Sequence, residues 1–331
     1  MKRNTIFLIL LFTIFSFSSF AYAKKYKKLA QTGFQFLSVE TDARATGMAG
    51  AMTTIGMGSS SLFFNPACMS SMPNLFDASL SQNNWIFDMK HNSFSMALNP
   101  FQGQYGVIGV SLISVDYGEM QGTMFWGNDK GYIDTEIFHP SAFMVGIGYS
   151  KFLSSQFSIG GQIKYTGQQL GSCVVEIEDS LAKRKYKAFA TAFDFGTLFK
   201  TGWKSLAFGM SVRNFSNEIK YEDEGFQLPL TFSMGISMDL IDLLPQYGKT
   251  NKILFAIDAV HPRSYPEYIN LGIEYAMKEM LFVRYGFMSN RGERASNFGI
   301  GIKLFNLAVD YSYTPFGILN EVQSFTLRFT L

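Results

Sequence analysis

The chain has 331 residues, of which 47% are hydrophobic and 16% aromatic but only 16% charged, with 30 glycines. Soluble domains carry about 25% charged residues, so this composition requires a second apolar surface that water does not face, and it excludes a disordered chain. With Lys2 and Arg3 of the leader set aside, the 28 basic residues fall to 26 and balance the 26 acidic ones, which excludes the basic excess of a nucleic-acid-binding surface.

Residues 1–23 are laid out as a secretory signal peptide. Lys2 and Arg3 form a positive start, Ile6 to Phe20 an apolar core, and Ala21-Tyr22-Ala23 a small-residue cleavage site, so cleavage after Ala23 is expected and an uncleaved anchor helix is the alternative. No later stretch reaches the roughly 18 apolar residues of a spanning helix. The best, Val107 to Val115, is broken by Gly109, Ser111 and Ser114. Helices and closed β-barrels are the structures that satisfy every backbone hydrogen bond in lipid, which leaves the barrel. Cys68 and Cys173 are compatible with one disulfide. His91, His139 and His261 are too far apart for a zinc spacing, so neither metal nor cofactor is expected.

Residues 24–74 lack long alternation. Ala43, Ala45, Gly47, Ala49, Gly50 and Ala51 make a run of small residues around Arg44, Met48 and Met52. Asn65 suits a helix N-cap and Pro66 the first helical position, which predicts a short helix over Pro66 to Ser70. This segment reads as an N-terminal hatch folded inside the barrel; a periplasmic tail carrying an extra strand is the alternative.

The barrel is expected over 75–331, where side chains alternate with period two. Leu230 to Leu240 keeps the pattern without a slip, and Phe157 to Tyr165 and Phe325 to Leu331 repeat it. Candidate strands lie near 76–86, 91–98, 105–115, 141–151, 157–167, 187–199, 205–214, 229–240, 252–259, 267–275, 281–287, 296–304, 307–314 and 322–331. Their number, about fourteen, is even, as an outer-membrane barrel requires. Short connections such as Pro100 to Gln104 and Phe305-Asn306 alternate with longer charged ones at Asp116 to Pro140, Gln168 to Tyr186, Ser216 to Leu228 and Ser289 to Arg294, except that Asp88-Met89-Lys90 is brief where a long loop is due and Ile241 to Asn251 is long where a turn is due. A soluble barrel shows the same alternation, but fourteen strands would leave it a lumen too wide for side chains to fill. The small or polar face, with Gly160, Gly272, Gly286, Gly299 and Gly301 beside Lys164, Asp239, Asp258, Glu274, Arg284, Lys303 and Arg328, is therefore read as facing the lumen. The fold class is all-β, a transmembrane antiparallel barrel in contact with outer-membrane lipids.

Several motifs recur in order along the mature chain: Phe36-Leu37, Ala43-Arg44, Met48-Ala49-Gly50-Ala51, Asn65-Pro66-Ala67, Arg213-Asn214-Phe215 with Leu228-Pro229, Asn270 to Tyr275, Val283 to Gly286, and Val309 to Tyr313. In these the chain resembles the PorV/PorQ family of outer-membrane proteins, related to the FadL fatty-acid transporters. The resemblance implies a fourteen-stranded barrel whose hatch carries Ala43, Arg44, Asn65, Pro66 and Ala67 as structural residues. Cys68 departs from it, because relatives usually carry Gly there. It also implies a non-enzymatic part in type IX secretion, with secretion components or cargo bearing C-terminal sorting domains as partners at the exterior loops.

The alternative is FadL-like transport of long-chain fatty acids or other hydrophobic small molecules. The hatch methionines Met48, Met52, Met57 and Met69 motivate it, since methionine adapts to irregular apolar ligands. No enzyme is expected: no Gly-x-Ser-x-Gly, His-Glu-x-x-His or phosphate loop occurs.

Overall fold

The structure, a computed structural model, describes residues 32–177, 180–221, 224–243, 250–290, 295–319 and 321–331. The leader with its cleavage site, the start of the following segment and the Cys173 side chain lie outside the described residues.

In chain order the first strands are β1 (Phe76–Asn84), β2 (Lys90–Leu98), β3 (Val107–Asp116), β4 (Met120–Phe125), β5 (Tyr132–Phe138) and β6 (Ser141–Phe152). Next come β7 (Phe157–Ile177), β8 (Ser180–Lys200), β9 (Ala207–Phe215), β10 (Ile219–Tyr221), β11 (Glu224–Phe226) and β12 (Thr231–Asp239). The last are β13 (Asn251–Pro262), β14 (Tyr268–Met277), β15 (Leu281–Met288), β16 (Ser296–Leu304), β17 (Leu307–Pro315) and β18 (Glu321–Thr330). Fourteen of them close into one antiparallel barrel, sealed where β1 pairs with β18, while β4–β5 and β10–β11 form separate hairpins. Every one of the fourteen candidate segments supplies one wall strand.

Alternation becomes the two faces of this wall. In β6, Phe143, Val145, Ile147 and Tyr149 are exposed on the outside, whereas Ala142, Met144 and Ser150 are buried inside. The outer face carries Ile163, Phe195, Met234, Ile236, Ile273, Ile300 and Phe325 around the circumference. A contiguous apolar belt of this kind on a closed barrel is a surface for lipid. Both hairpins and the long connections other than that between β12 and β13 lie at the end opposite Phe76 and Leu331, which marks that end as the exterior.

Two expectations are corrected. Gln168 to Tyr186, read as a loop, is the extension of β7 and β8 into one long hairpin. Its register slips between Gln169 and Gly171, which breaks the period there, and above the belt a strand need not present an apolar face. Asp239, assigned to the lumen face, instead caps the turn after β12, its Oδ1 accepting from Ile241 N at 3.1 Å and Ile253 N at 3.0 Å.

The N-terminal segment lies in the lumen. It consists of the single-turn helix α1 (Ala43–Gly47), 3-10 helices at Gln35–Ser38, Gly58–Phe63 and Pro66–Ser71, and irregular links. Helix α1 runs against β15–β18, the Gly58–Phe63 turn against β1–β3, and the Pro66–Ser71 turn against β6–β8. Met48, Met52, Met57, Leu62 and Met69 are almost wholly buried between the segment and the wall.

Candidate functional site

A buried segment with little regular structure must find partners for its backbone N–H and C=O groups, and here the wall supplies them. Thr326 Oγ1 accepts from Ala43 N at 2.8 Å, Ser93 Oγ donates to Thr41 O at 2.9 Å and Asn83 Nδ2 to Glu40 O at 3.1 Å. Arg213 Nη1 donates to Phe63 O at 2.7 Å, and Asn99 Nδ2 to Met72 O at 2.7 Å. Lumenal Thr326, Ser93, Asn83 and Asn99 thus serve the segment's main chain. Polar spacing in the strands signals a lumen; only the structure shows what each hydroxyl bonds.

The motif residues are brought to two places. Asn65 caps the Pro66–Ser71 turn, its Oδ1 accepting from Ala67 N at 3.0 Å, while its Nδ2 donates to Thr53 O at 2.6 Å and to Thr197 O on β8 at 3.0 Å. Ala67 O accepts from Ser150 Oγ at 2.9 Å and Ser158 Oγ at 3.1 Å. The turn sits so close to the wall that a Cβ on Gly196 would stand 1.8 Å from Asn65 Oδ1, and one on Gly160 2.5 Å from Pro66 C. Cys68 follows without the left-handed backbone that glycine favours; its thiol is free and buried, which pushes its pKa up and keeps it protonated.

Ala43 and Arg44 open α1 behind Asp42, whose side chain accepts from Arg44 N at 2.9 Å. Arg44 Nε and Nη2 donate to the two oxygens of Glu274 on β14 at 2.8 and 2.6 Å. Glu274 also accepts from Arg284 Nε on the paired strand β15, and Arg284 Nη1 donates to Asp310 Oδ1 at 2.6 Å. Arg328 Nη2 donates to Asp42 Oδ2 at 2.8 Å. Two clasps therefore tie α1 to the wall, one with its guanidinium on the N-terminal segment and one with its guanidinium on the wall. Asn214, in the Arg213-Asn214-Phe215 motif, is left-handed at φ 61° and donates to Pro229 O at 3.1 Å, joining the motif to Leu228-Pro229.

Above the segment, at the exterior mouth, lies an apolar cavity of about 630 Å³. Its floor is Gly33, Phe34, Gln35, Phe36, Ser38 and Val39 of the N-terminal segment, and its sides come from Trp85, Ile86 and Met89 of the β1–β2 turn, with His91, Val115, Tyr117, Gln168, Leu170, Tyr265 and Phe316. Phe34 stacks on Phe226 at 5.9 Å between ring centroids, and Trp85 meets Phe316 edge-on at 5.5 Å. Gly33 N donates to Gln227 O at 3.1 Å and fixes the floor to the exterior hairpin region. Gln168 donates to the Tyr117 hydroxyl at 3.2 Å, and burial pushes that phenol up to about 12, so it stays neutral. Lysine, arginine, aspartate and glutamate are all missing from the lining. Sequence reasoning named Phe36 and His91 among the lining residues but did not bring them together, because the cavity is assembled from the ends of strands far apart in the chain.

No family model matches the chain, and no curated protein matches it, so the PorV/PorQ resemblance rests on the quoted motifs alone. Solved structures do share the fold. The toluene transporter TbuX of Ralstonia pickettii superposes with a TM-score of 0.58 at 9% identity, over 88% of this chain and 98% of that one. The toluene transporter TodX of Pseudomonas putida gives 0.59 at 10% identity, over 92% and 98%. A FadL homologue of Pseudomonas aeruginosa gives 0.55 at 12% identity, over 88% and 98%. The chain thus has the FadL-like fold, a likeness of architecture at identities that carry nothing about ligands.

Proposed function

We propose that the chain is a non-enzymatic outer-membrane channel admitting hydrophobic small molecules, long-chain fatty acids or other apolar compounds. In this reading residues 1–23 are a signal peptide cleaved after Ala23, 24–74 the hatch, with Ala43, Arg44, Asn65, Pro66 and Ala67 as its structural motif, and 75–331 the wall. The mouth cavity carries the proposal. Its volume of about 630 Å³ falls within the ~300–1,000 Å³ of small-molecule sites, its lining is mostly aromatic and aliphatic with Gln35, Ser38, His91 and Gln168 as polar members, and no Lys, Arg, Asp or Glu there balances an ionic ligand. Two of the structures that share the fold are described as toluene transporters, which agrees with an apolar cargo. The test is uptake of toluene and of a long-chain fatty acid into liposomes holding the purified chain. Uptake above empty vesicles is expected, with about a tenfold or greater loss in Met89→Glu, which buries a charge in the lining. Uptake no faster than into empty vesicles would sink the proposal.

A second reading, association with type IX secretion, has one observation of its own. Phe125 and Trp126, at the tip of the β4–β5 hairpin, are 86% and 51% exposed on the exterior side, apolar surface that a protein partner would cover. Co-purification of secretion components or sorting-domain cargo from native membranes, lost in Trp126→Ala, is its expected result. Purification without them leaves the channel reading alone.

A further inference from the structure

At the opposite, periplasmic end of the lumen a second cavity of about 160 Å³ opens beneath α1, between β15 and β18. Its lining holds four cations, Arg44, Arg284, Lys303 and Arg328, against one carboxylate, Asp310. The carboxylates that clasp Arg44 and Arg328, Glu274 and Asp42, do not line it. Arg44 and Arg328 each spend one side on a carboxylate and Arg284 is shared between Glu274 and Asp310, so with Lys303 the cluster sets four cations against three carboxylates and the cavity surface is left positive. Arg284 is 98% buried by its side chain and lies over the Phe282 ring at 5.2 Å, so its plane is fixed. Arg328 Nε is buried and has no hydrogen-bond partner among the described residues. An unpaired buried N–H on a charged group costs more than an ordinary lost hydrogen bond, and a guanidinium presents its donors in the fork that carboxylate and phosphate oxygens match.

We propose that this cavity is a binding site for a single oxyanion group, carboxylate or phosphate, held by Arg44, Arg284 and Arg328 with Lys303 at the rim. An oxyanion seated there accepts from the open guanidinium edges and offsets the excess positive charge, while Phe282 gives one apolar wall to whatever body the group carries. The site stands apart from the mouth cavity, which is uncharged and lies at the other end of the lumen.

Calorimetric titration of the detergent-purified full chain with inorganic phosphate, acetate and octanoate tests the proposal. Saturable binding of one phosphate per chain is expected. Lys303→Glu, a substitution at an exposed rim position, should weaken it at least tenfold, and Asp310→Asn, which removes the one lining carboxylate, should tighten it. Octanoate binding more tightly than acetate identifies the head group of an amphiphile as the occupant; equal affinities identify a free anion. No saturable binding of any of the three, or phosphate binding that Lys303→Glu leaves unchanged, overturns the proposal. Toluene uptake should be the same in Lys303→Glu as in the parent, which separates this site's failure from failure of the channel reading.

Discussion

At the scale of single residues, Asn65 joins three parts of the molecule. Its side chain caps one turn, holds the Thr53 carbonyl and reaches the wall at Thr197, using the amide oxygen and both amide hydrogens. Asn65→Ala leaves Ala67 N and two carbonyls without that partner in a site that water does not reach, and is expected to cost about 2–4 kcal/mol. Gly196→Ala attacks the same seat without removing a polar group. Its Cβ would lie 1.8 Å from Asn65 Oδ1, so the turn must move, at a cost of about 1–3 kcal/mol. Both should lower the melting temperature and expose residues 53–72 to protease while the strands stay protected. A turn that remains resistant in both variants would show that Asn65 does not hold it.

At the scale of elements, the β7–β8 hairpin separates what a sequence displays from what it hides. The wall strands were legible because lipid on one side and a polar lumen on the other impose a strict two-residue period, as in Leu230 to Leu240. Above the belt that constraint ends. Lys183, Lys185 and Lys187 there share a strand with Phe189, yet they read as a solvated loop, and the slip at Leu170 removes the phase that would have linked them to the wall. The N-terminal segment stood apart from the alternating strands through its small residues and Asn65-Pro66-Ala67. Its anchors were not visible, since Arg44 meets Glu274 and Asp42 meets Arg328 across more than two hundred residues of chain. The exterior hairpin also makes a contact with a definite pH dependence. Lys183 Nζ donates to Glu136 Oε2 at 2.6 Å and Ser172 Oγ to Oε1 at 3.0 Å, and these bonds hold the Glu136 carboxyl below its ordinary range. Because the folded pKa is the lower one, the contact is fully present above the unfolded value of about 4.3 and is lost as pH falls through the folded value. The protection of amides in residues 132–138, relative to their intrinsic exchange rates, should therefore fall on acidification below about pH 4 in the parent, with no such step in Glu136→Gln. The same acid step in both proteins would assign it to another group.

At the scale of the whole molecule, one closed wall faces three environments: lipid outside, the N-terminal segment inside, and an apolar mouth above. The outer belt is the surface that the low charge fraction requires, and its energetics differ from those of a soluble barrel, whose outer face tolerates charge. Ile147 lies in the middle of β6, 63% exposed on the outer face, with Gly146 and Gly148 facing inward on either side. In a bilayer, Ile147→Arg near the midplane should cost about 2–4 kcal/mol of folding free energy, because the guanidinium must be desolvated or drag water into the hydrocarbon. In a water-soluble barrel the same exposed substitution would fall within about 0.5 kcal/mol of neutral. Reversible urea unfolding of the two proteins in phospholipid vesicles reads the difference directly. A cost of that size assigns the belt to lipid, and a neutral result would mean that this face, and with it the oily composition of the chain, is covered by something else.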